Sequence, residues 1–146
     1  MSYTTVETEF DTVNDLEARH VDQLHKLFAG EWWASSRTRE DVEHVLRESG
    51  VVIGLLDRET TDLVGFLRVL TDFRFFAVIL DVIVDPTYRG RGLGRRLMDA
   101  TLAHPKLRNL KGIGLQCEDA LIPFYRKWGF TDAPGRTRTM KLVFDH

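Results

Sequence analysis

A single cysteine, Cys117, stands among 146 residues, so no disulfide can close within the chain. A reducing, cytoplasmic setting is the expectation from that scarcity. An excess of one charge is missing as well. Twenty basic side chains against 22 acidic ones leave a formal net charge of −2, which gives no reason to expect a nucleic-acid partner. No apolar run approaches the roughly 20 residues needed to cross a bilayer, so no membrane partner is expected. The opening MSYTTVETEFDTVNDLE is polar and acidic, the opposite of a signal peptide. The five histidines fall at no metal-ligand spacing, so no metal is expected. Internal repeats and low-complexity segments are absent. What is present is an ordinary globular composition, 43% hydrophobic and 29% charged, in a length that suits one domain over residues 1–146.

The hydrophobic pattern divides the chain. Residues 1–14 read as an opening strand or a loose arm. From Asp15 to Ala29, the residues Leu16, Val21, Leu24, Leu27 and Phe28 recur at helical spacing, and Gly30 ends the run. A loop, EWWASSR, leads to Thr38, which can cap a second helix with Asp41 three places on. VVIGLLD and LVGFLRVL are β-rich runs joined by RETTD, a hairpin-like connection. Phe75–Val84 is a third strand, apolar on both faces except at Asp81, and so reads as a central strand covered on both sides. Asp85-Pro86 stops it. A helix from Leu93 to about His104, a strand in NLKGIGLQC, a short helix in ALIPFYRKWGF closed by Gly129, and a final strand in RTRTMKLVF complete the order. That order predicts an α/β chain built on a mixed sheet with helices on both faces.

The stretch RGRGLG, Arg89 to Gly94, lies between the apolar strand and the helix that follows it. Glycines let a ligand approach the backbone closely, and a helix N-terminus presents unpaired N–H groups at the positive end of its dipole. Such a turn accepts phosphate oxygens, and Arg89, Arg91 and Arg95 can add charge around it. It is not a Walker A loop, because Gly94 is followed by Arg95-Arg96 rather than Lys-Ser/Thr. It is not a dinucleotide fingerprint either, because Gly90-Arg91-Gly92 runs into Leu93-Gly94. A helix start with solvated arginines is the bland alternative, and an RNA-binding arginine-glycine turn is opposed by the acidic net charge.

Arg89-x-x-Gly92-x-Gly94, directly after Val84-Asp85-Pro86, resembles the acetyl-coenzyme A motif of the GNAT N-acetyltransferase superfamily. Phe124-Tyr125-Arg126-Lys127-Trp128-Gly129-Phe130 is similar to that superfamily's Tyr-x-x-x-Gly-Phe signature. The likeness covers roughly residues 51–144, and the two N-terminal helices suit the same GNAT-like central mixed sheet. It implies an acetyl-CoA-dependent N-acetyltransferase that moves an acetyl group to a primary amine by direct attack. A non-catalytic acyl-CoA-binding or sensor module of the same fold is the alternative.

The resemblance also implies roles. The coenzyme A pyrophosphate would lie on the amides of Gly90, Arg91, Gly92, Leu93, Gly94 and Arg95. The pantetheine arm would pair like an extra strand with Val82, Ile83 and Val84, with the Val82 amide near the thioester carbonyl, where negative charge develops. Tyr125 matches the tyrosine that protonates the departing thiolate, although a packing role beside Phe124 and Trp128 is its bland reading. Glu118 and Asp119 stand where the family often has a cofactor-contacting asparagine, which puts that contact in doubt.

The amine's proton needs an acceptor, and no residue carries over for it. Asp81 inside the strand is one candidate base, or else a structural carboxylate paired with Arg68; Glu118 is the rival base. Trp32, Trp33 and Arg37 lie in the loop that lines the acceptor groove in similar proteins. Two adjacent tryptophans cannot face the same core, so one is expected to be buried and the other exposed or in a groove. Arg37 would suit a carboxylate or phosphate on the acceptor, or else it is solvated. Arg74, Phe73 and Phe75 are candidates for the opposite rim. The acceptor is expected to be a small molecule or a peptide amine, and a homodimer is left open.

Overall fold

The computed structural model describes residues 9–133 and 135–145. The chain divides into two compact units, one running to Leu115 and one beginning at Gln116. The first eight residues of the expected opening arm lie outside the described residues.

In the first unit the elements follow in the order β1 (Phe10–Val13), α1 (Ala18–Ala29), α2 (Arg39–Glu48), β2 (Val51–Asp57), β3 (Leu63–Thr71), β4 (Phe76–Val84), α3 (Leu93–Leu102) and β5 (Gly112–Leu115). Short 3-10 turns at Pro86–Tyr88 and Pro105–Leu107 flank α3. The sheet order is β1-β2-β3-β4-β5. Neighbours from β1 to β4 are antiparallel, and β5 lies parallel to β4, so the sheet is mixed.

Local chemistry sets the helix starts. The Thr38 hydroxyl accepts from the Asp41 amide at 3.0 Å, and the Asp41 carboxylate accepts from the Thr38 amide at 2.8 Å, the reciprocal box expected from the sequence. At α1 the same exchange is made by Glu17 and His20, whose Nδ1 accepts from the Glu17 amide at 3.1 Å. His20, Val21, Leu24 and Phe28 form the buried stripe of α1. Leu24 and Phe28 are fully buried, which stabilises the packed state by about 1.5–3 kcal/mol each. That stripe packs with Val42 of α2 against Val52, Leu63, Phe66 and Ile83 of the sheet. On the opposite face α3 buries Leu93, Leu97 and Met98, and Leu97 packs over Gly65 of β3. Helices therefore cover both faces.

Strand β4 differs from its expectation. Ala77, Ile79 and Ile83 are buried, while Val78, Leu80, Val82 and Val84 are only half-buried, and Phe75 and Phe76 at its start are more than half exposed. Its second face is thus less covered than a run so apolar suggested.

The second unit is small. A 3-10 turn at Asp119–Leu121 leads into α4 (Ile122–Arg126), and the chain then turns through Gly129, whose φ of +93° is the left-handed value that favours glycine after a helix. The strand expected in RTRTMKLVF is not there: among the described residues none after Arg126 is helical or extended in a ladder. Met140, Leu142, Val143 and Phe144 are instead 69–92% exposed. β-propensity describes fit to a pleated, half-buried surface, and without a ladder partner it makes no strand.

Candidate active site

After β4, Asp85 caps the Pro86–Tyr88 turn, its Oδ1 accepting from the Thr87 amide at 2.9 Å and the Thr87 hydroxyl at 2.7 Å. The chain then passes through Gly90 and Gly92, both at φ +79°, and Gly92 is the N-cap of α3. Gly92 has no side chain with which to cap the helix. The first helical bond runs from the Arg96 amide to the Gly92 carbonyl at 3.1 Å, so the amides of Leu93, Gly94 and Arg95 stand ahead of it. A Cβ built on Gly90 or Gly92 would meet no heavy atom within 4 Å. The space over the turn is open, and bare amides at the positive end of α3 border it. Amides placed in this way can accept an anion.

The strand leading into the turn has an unpaired stretch. The parallel ladder between β4 and β5 covers only Phe76–Ile79 against Gly112–Leu115. From Leu80 to Val84, β4 has β3 on one side and no strand neighbour on the other among the described residues. Phe66 pairs with Ile83 and Arg68 with Leu80, so Asp81 and Val82 together oppose Leu67. This is a β-bulge, and Asp81 occupies it at φ +58°, a left-handed value that Asp and Asn tolerate better than most side chains.

The Asp81 carboxylate is 6% exposed and serves two arginines. Arg68 Nε donates to its Oδ2 at 2.6 Å, while Arg37 donates through Nη1 to Oδ2 at 2.7 Å and through Nη2 to Oδ1 at 3.0 Å. Burial pushes the carboxyl upward, but hydrogen bonds and charge from Arg37 and Arg68 outweigh it and hold Asp81 below the usual carboxylate range. The Arg37 guanidinium also lies 4.7 Å over the Phe28 ring and 5.6 Å over the Trp33 ring. Trp33 packs edge-on against Phe28 in the core, whereas Trp32 is 77% exposed, the division expected of adjacent tryptophans.

The turn's arginines are spread rather than converged. Arg89 reaches Glu31 at 2.9 Å, and Arg91 reaches Glu9 at 2.6 Å while lying over the Phe10 and Tyr88 rings. Arg95, in the first turn of α3, is 78% exposed and only loosely paired with Asp99 at 3.9 Å. The backbone amides, more than converging cations, make the cradle. At the β3–β4 connection, Asp72 Oδ1 accepts from the amides of Arg74, Phe75 and Phe76 at 2.8–3.2 Å, and Phe73 and Phe75 stand exposed on the turn thus formed.

In the second unit, Tyr125 is 7% exposed, with the Phe124 and Phe130 rings edge-on to it at 5.0 and 6.3 Å. Burial, with a smaller contribution from Cys117, pushes its phenol up to about 12. Glu118 caps the Asp119–Leu121 turn and is exposed. Among the described residues, no group of three or more His, Cys, Asp or Glu side chains is placed to hold a metal ion. No helix among them is long and apolar enough to cross a membrane.

Residues 17–130 match the Acetyltransferase (GNAT) family, a span that includes the glycine turn, the bulged strand and the Tyr125 segment. The chain belongs to the GNAT acetyltransferase family. It is 32% identical over 120 residues to the N-acetyltransferase ycf52 of Porphyra purpurea, covering 81% of this chain and 68% of that one. It is 28% identical over 127 residues to the chloroplastic GCN5-related N-acetyltransferase 1 of Arabidopsis thaliana, covering 87% of this chain and 64% of the plant protein. The chain thus spans about two thirds of the length of these relatives. Among solved structures, a GNAT-family protein from Xanthomonas campestris pv. campestris superposes with a TM-score of 0.79 at 28% identity, covering 92% of this chain and 93% of the other. The GNAT fold and acetyltransferase class implied by the two sequence motifs are therefore those of this chain.

Three features of this GNAT site were not drawn from the sequence. Arg37, read as suiting an anionic acceptor or else as solvated, is engaged by Asp81. The bulge at Asp81–Val82 was missed, although an aspartate in an otherwise apolar strand is itself a signal for a left-handed residue. Tyr88 was not singled out, yet its hydroxyl donates to Asp57 at 2.8 Å and ties the turn back to β2.

Proposed function

We propose that this acetyltransferase moves the acetyl group of acetyl-CoA to a primary amine by direct attack of the amine on the thioester. The observation that carries this reading is the continuity of two features: β4 from Leu80 to Val84 offers an edge with no strand neighbour among the described residues, and it leads through the Pro86–Tyr88 turn into the open amide cradle of Gly90 to Arg95. The cradle suits a pyrophosphate, and the edge suits an extended amide-bearing arm that hydrogen-bonds as a strand would. Gly90 and Gly92 leave open space beside the turn, so in this reading coenzyme A is met by backbone rather than by side chains.

In this reading the Val82 amide faces the oxygen that gains negative charge as the amine adds. Tyr125 donates a proton to the thiolate as the carbon–sulfur bond breaks. Its raised pKa keeps the phenol protonated throughout the neutral range, so the donor form is always present. Asp81 is not the base: a carboxylate held below its usual range by two arginines is a weak proton acceptor. The amine's proton leaves through water or through Glu118, which is exposed. Trp32, on the connection before α2, belongs to the acceptor side, and the acceptor is a small molecule or peptide carrying a primary amine.

The test is turnover of acetyl-CoA against polyamines, amino sugars, amino acids, aminoglycosides and peptides, with calorimetric titration of coenzyme A alongside. Amine-dependent thiol release is expected with at least one class. Tight coenzyme A binding without transfer to any of them would replace the enzyme reading with that of an acyl-CoA sensor.

A further inference from the structure

Asp81 joins three parts of the first unit through one carboxylate. Arg68 comes from the neighbouring strand, but Arg37 comes from the connection between α1 and α2. Arg37 is fixed at both ends: His25 Nε2 lies 3.0 Å from its carbonyl, and both Nη atoms of its guanidinium bind Asp81. Its guanidinium lies over the rings of Phe28, a member of the core cluster, and of Trp33, which packs against that cluster. Asp81 is itself the left-handed residue of the bulge, so the carboxylate that clamps Arg37 and the backbone that presents Val82 belong to adjacent residues. A strand needing only a counter-ion for Arg68 requires neither the bulge nor a second, bidentate arginine 44 residues away.

We infer that Asp81 is a positioning residue: through Arg37 it locks the Glu31–Thr38 connection, with Trp32 and Trp33, at a fixed place beside Val82. The wall of the acceptor groove and the strand that faces the thioester then move as one body. This rests on the reading above, in which that connection lines the acceptor side and Val82 faces the thioester. The physical consequence is that the approach of the amine is set by a side-chain clamp behind the groove wall rather than by the wall residues alone. Misplacing a reactant by about 1 Å can cost about 10²-fold in rate.

The test uses Arg37→Met, Asp81→Asn and the double variant in the full chain. Arg37→Met keeps the apolar stem and leaves the Asp81–Arg68 pair intact, and asparagine tolerates the left-handed backbone at position 81. Two readouts are taken below the melting range: hydrogen exchange of residues 31–38, and kcat and KM with the best amine of the panel. Arg37→Met is expected to speed exchange in 31–38 and to lower kcat/KM for the amine by about 10- to 100-fold. Its KM for acetyl-CoA stays within twofold. The double variant is expected to be no worse than Asp81→Asn alone, because both break one clamp. The inference is overturned if Arg37→Met leaves the amine constants within twofold, whether or not the connection loosens. Losses that multiply in the double variant overturn it equally. A wild-type protein inactive with every amine would count against the acetyl-transfer reading instead, and exchange in 31–38 would alone decide whether Arg37 anchors the connection.

Discussion

Replacing Gly92 by alanine isolates the cradle from the fold. Gly92 has φ +79°, and the Cβ added there meets no protein atom within 4 Å. The fold therefore loses only the backbone preference, about 1–2 kcal/mol for a left-handed non-glycine residue. At about 2–4 °C per kcal/mol for a chain of this size, Tm should fall by roughly 2–8 °C, leaving the protein folded at 25 °C. Ligand binding should respond far more. The amides of Leu93, Gly94 and Arg95 head the helix that Gly92 opens, so in the proposed cradle a methyl group at Gly92 competes with a bound pyrophosphate, and a charge-assisted hydrogen bond is worth about 1.5–3 kcal/mol. Displacing a pyrophosphate from two such amides removes about 3 kcal/mol or more, which is a rise in Kd of at least about 100-fold. A thermal melt gives the first quantity and calorimetric titration with coenzyme A the second. A folded Gly92→Ala protein whose Kd stays within threefold of the parent would refute the cradle.

Further outcomes follow from the same geometry. Asp81→Asn leaves Arg37 and Arg68 without their shared counter-charge, and breaking such a buried pair costs about 3–5 kcal/mol, readable as a lower urea midpoint. Because the Asp81 pKa is depressed in the folded state, its stabilising contribution is complete above the ordinary carboxylate value of 3.8 and is lost as pH falls through the depressed one. Acid titration of stability in that window should be shallower in Asp81→Asn than in the parent. Tyr125→Phe keeps the ring packing and removes the proton donor, so kcat should fall about 10²- to 10⁴-fold with KM for acetyl-CoA little changed; a kcat within twofold makes Tyr125 a packing residue. With its phenol pushed up to about 12, loss of Tyr125's proton should add no alkaline limb to kcat between pH 7 and 10.

The start of α2 was legible because its chemistry is local: Thr38 and Asp41 announce a capping box within four residues, whereas the Glu17–His20 box that opens α1 was not read. The glycine turn was legible for the same reason, since a phosphate cradle needs glycine and a helix start in adjacent positions. The Asp81–Arg68 pair could be framed as an alternative because the two residues lie on strands that the hairpin pattern already joined. Its second arm could not, because Arg37 arrives from a loop whose path no periodicity encodes. The residues RTRTMKLVF illustrate the converse failure. Their β-rich composition promised a strand, yet a strand is defined by a ladder and not by its own side chains.

The account is tested most directly by initial rates of thiol release with acetyl-CoA and the best amine varied together. Direct attack requires both substrates on the protein at once, so the double-reciprocal lines should converge, and mass spectrometry of protein mixed with acetyl-CoA alone should show no acetylated residue. Parallel lines together with an acetyl group on Cys117 would contradict direct transfer, and thiol release indifferent to every amine would contradict acetyl transfer altogether.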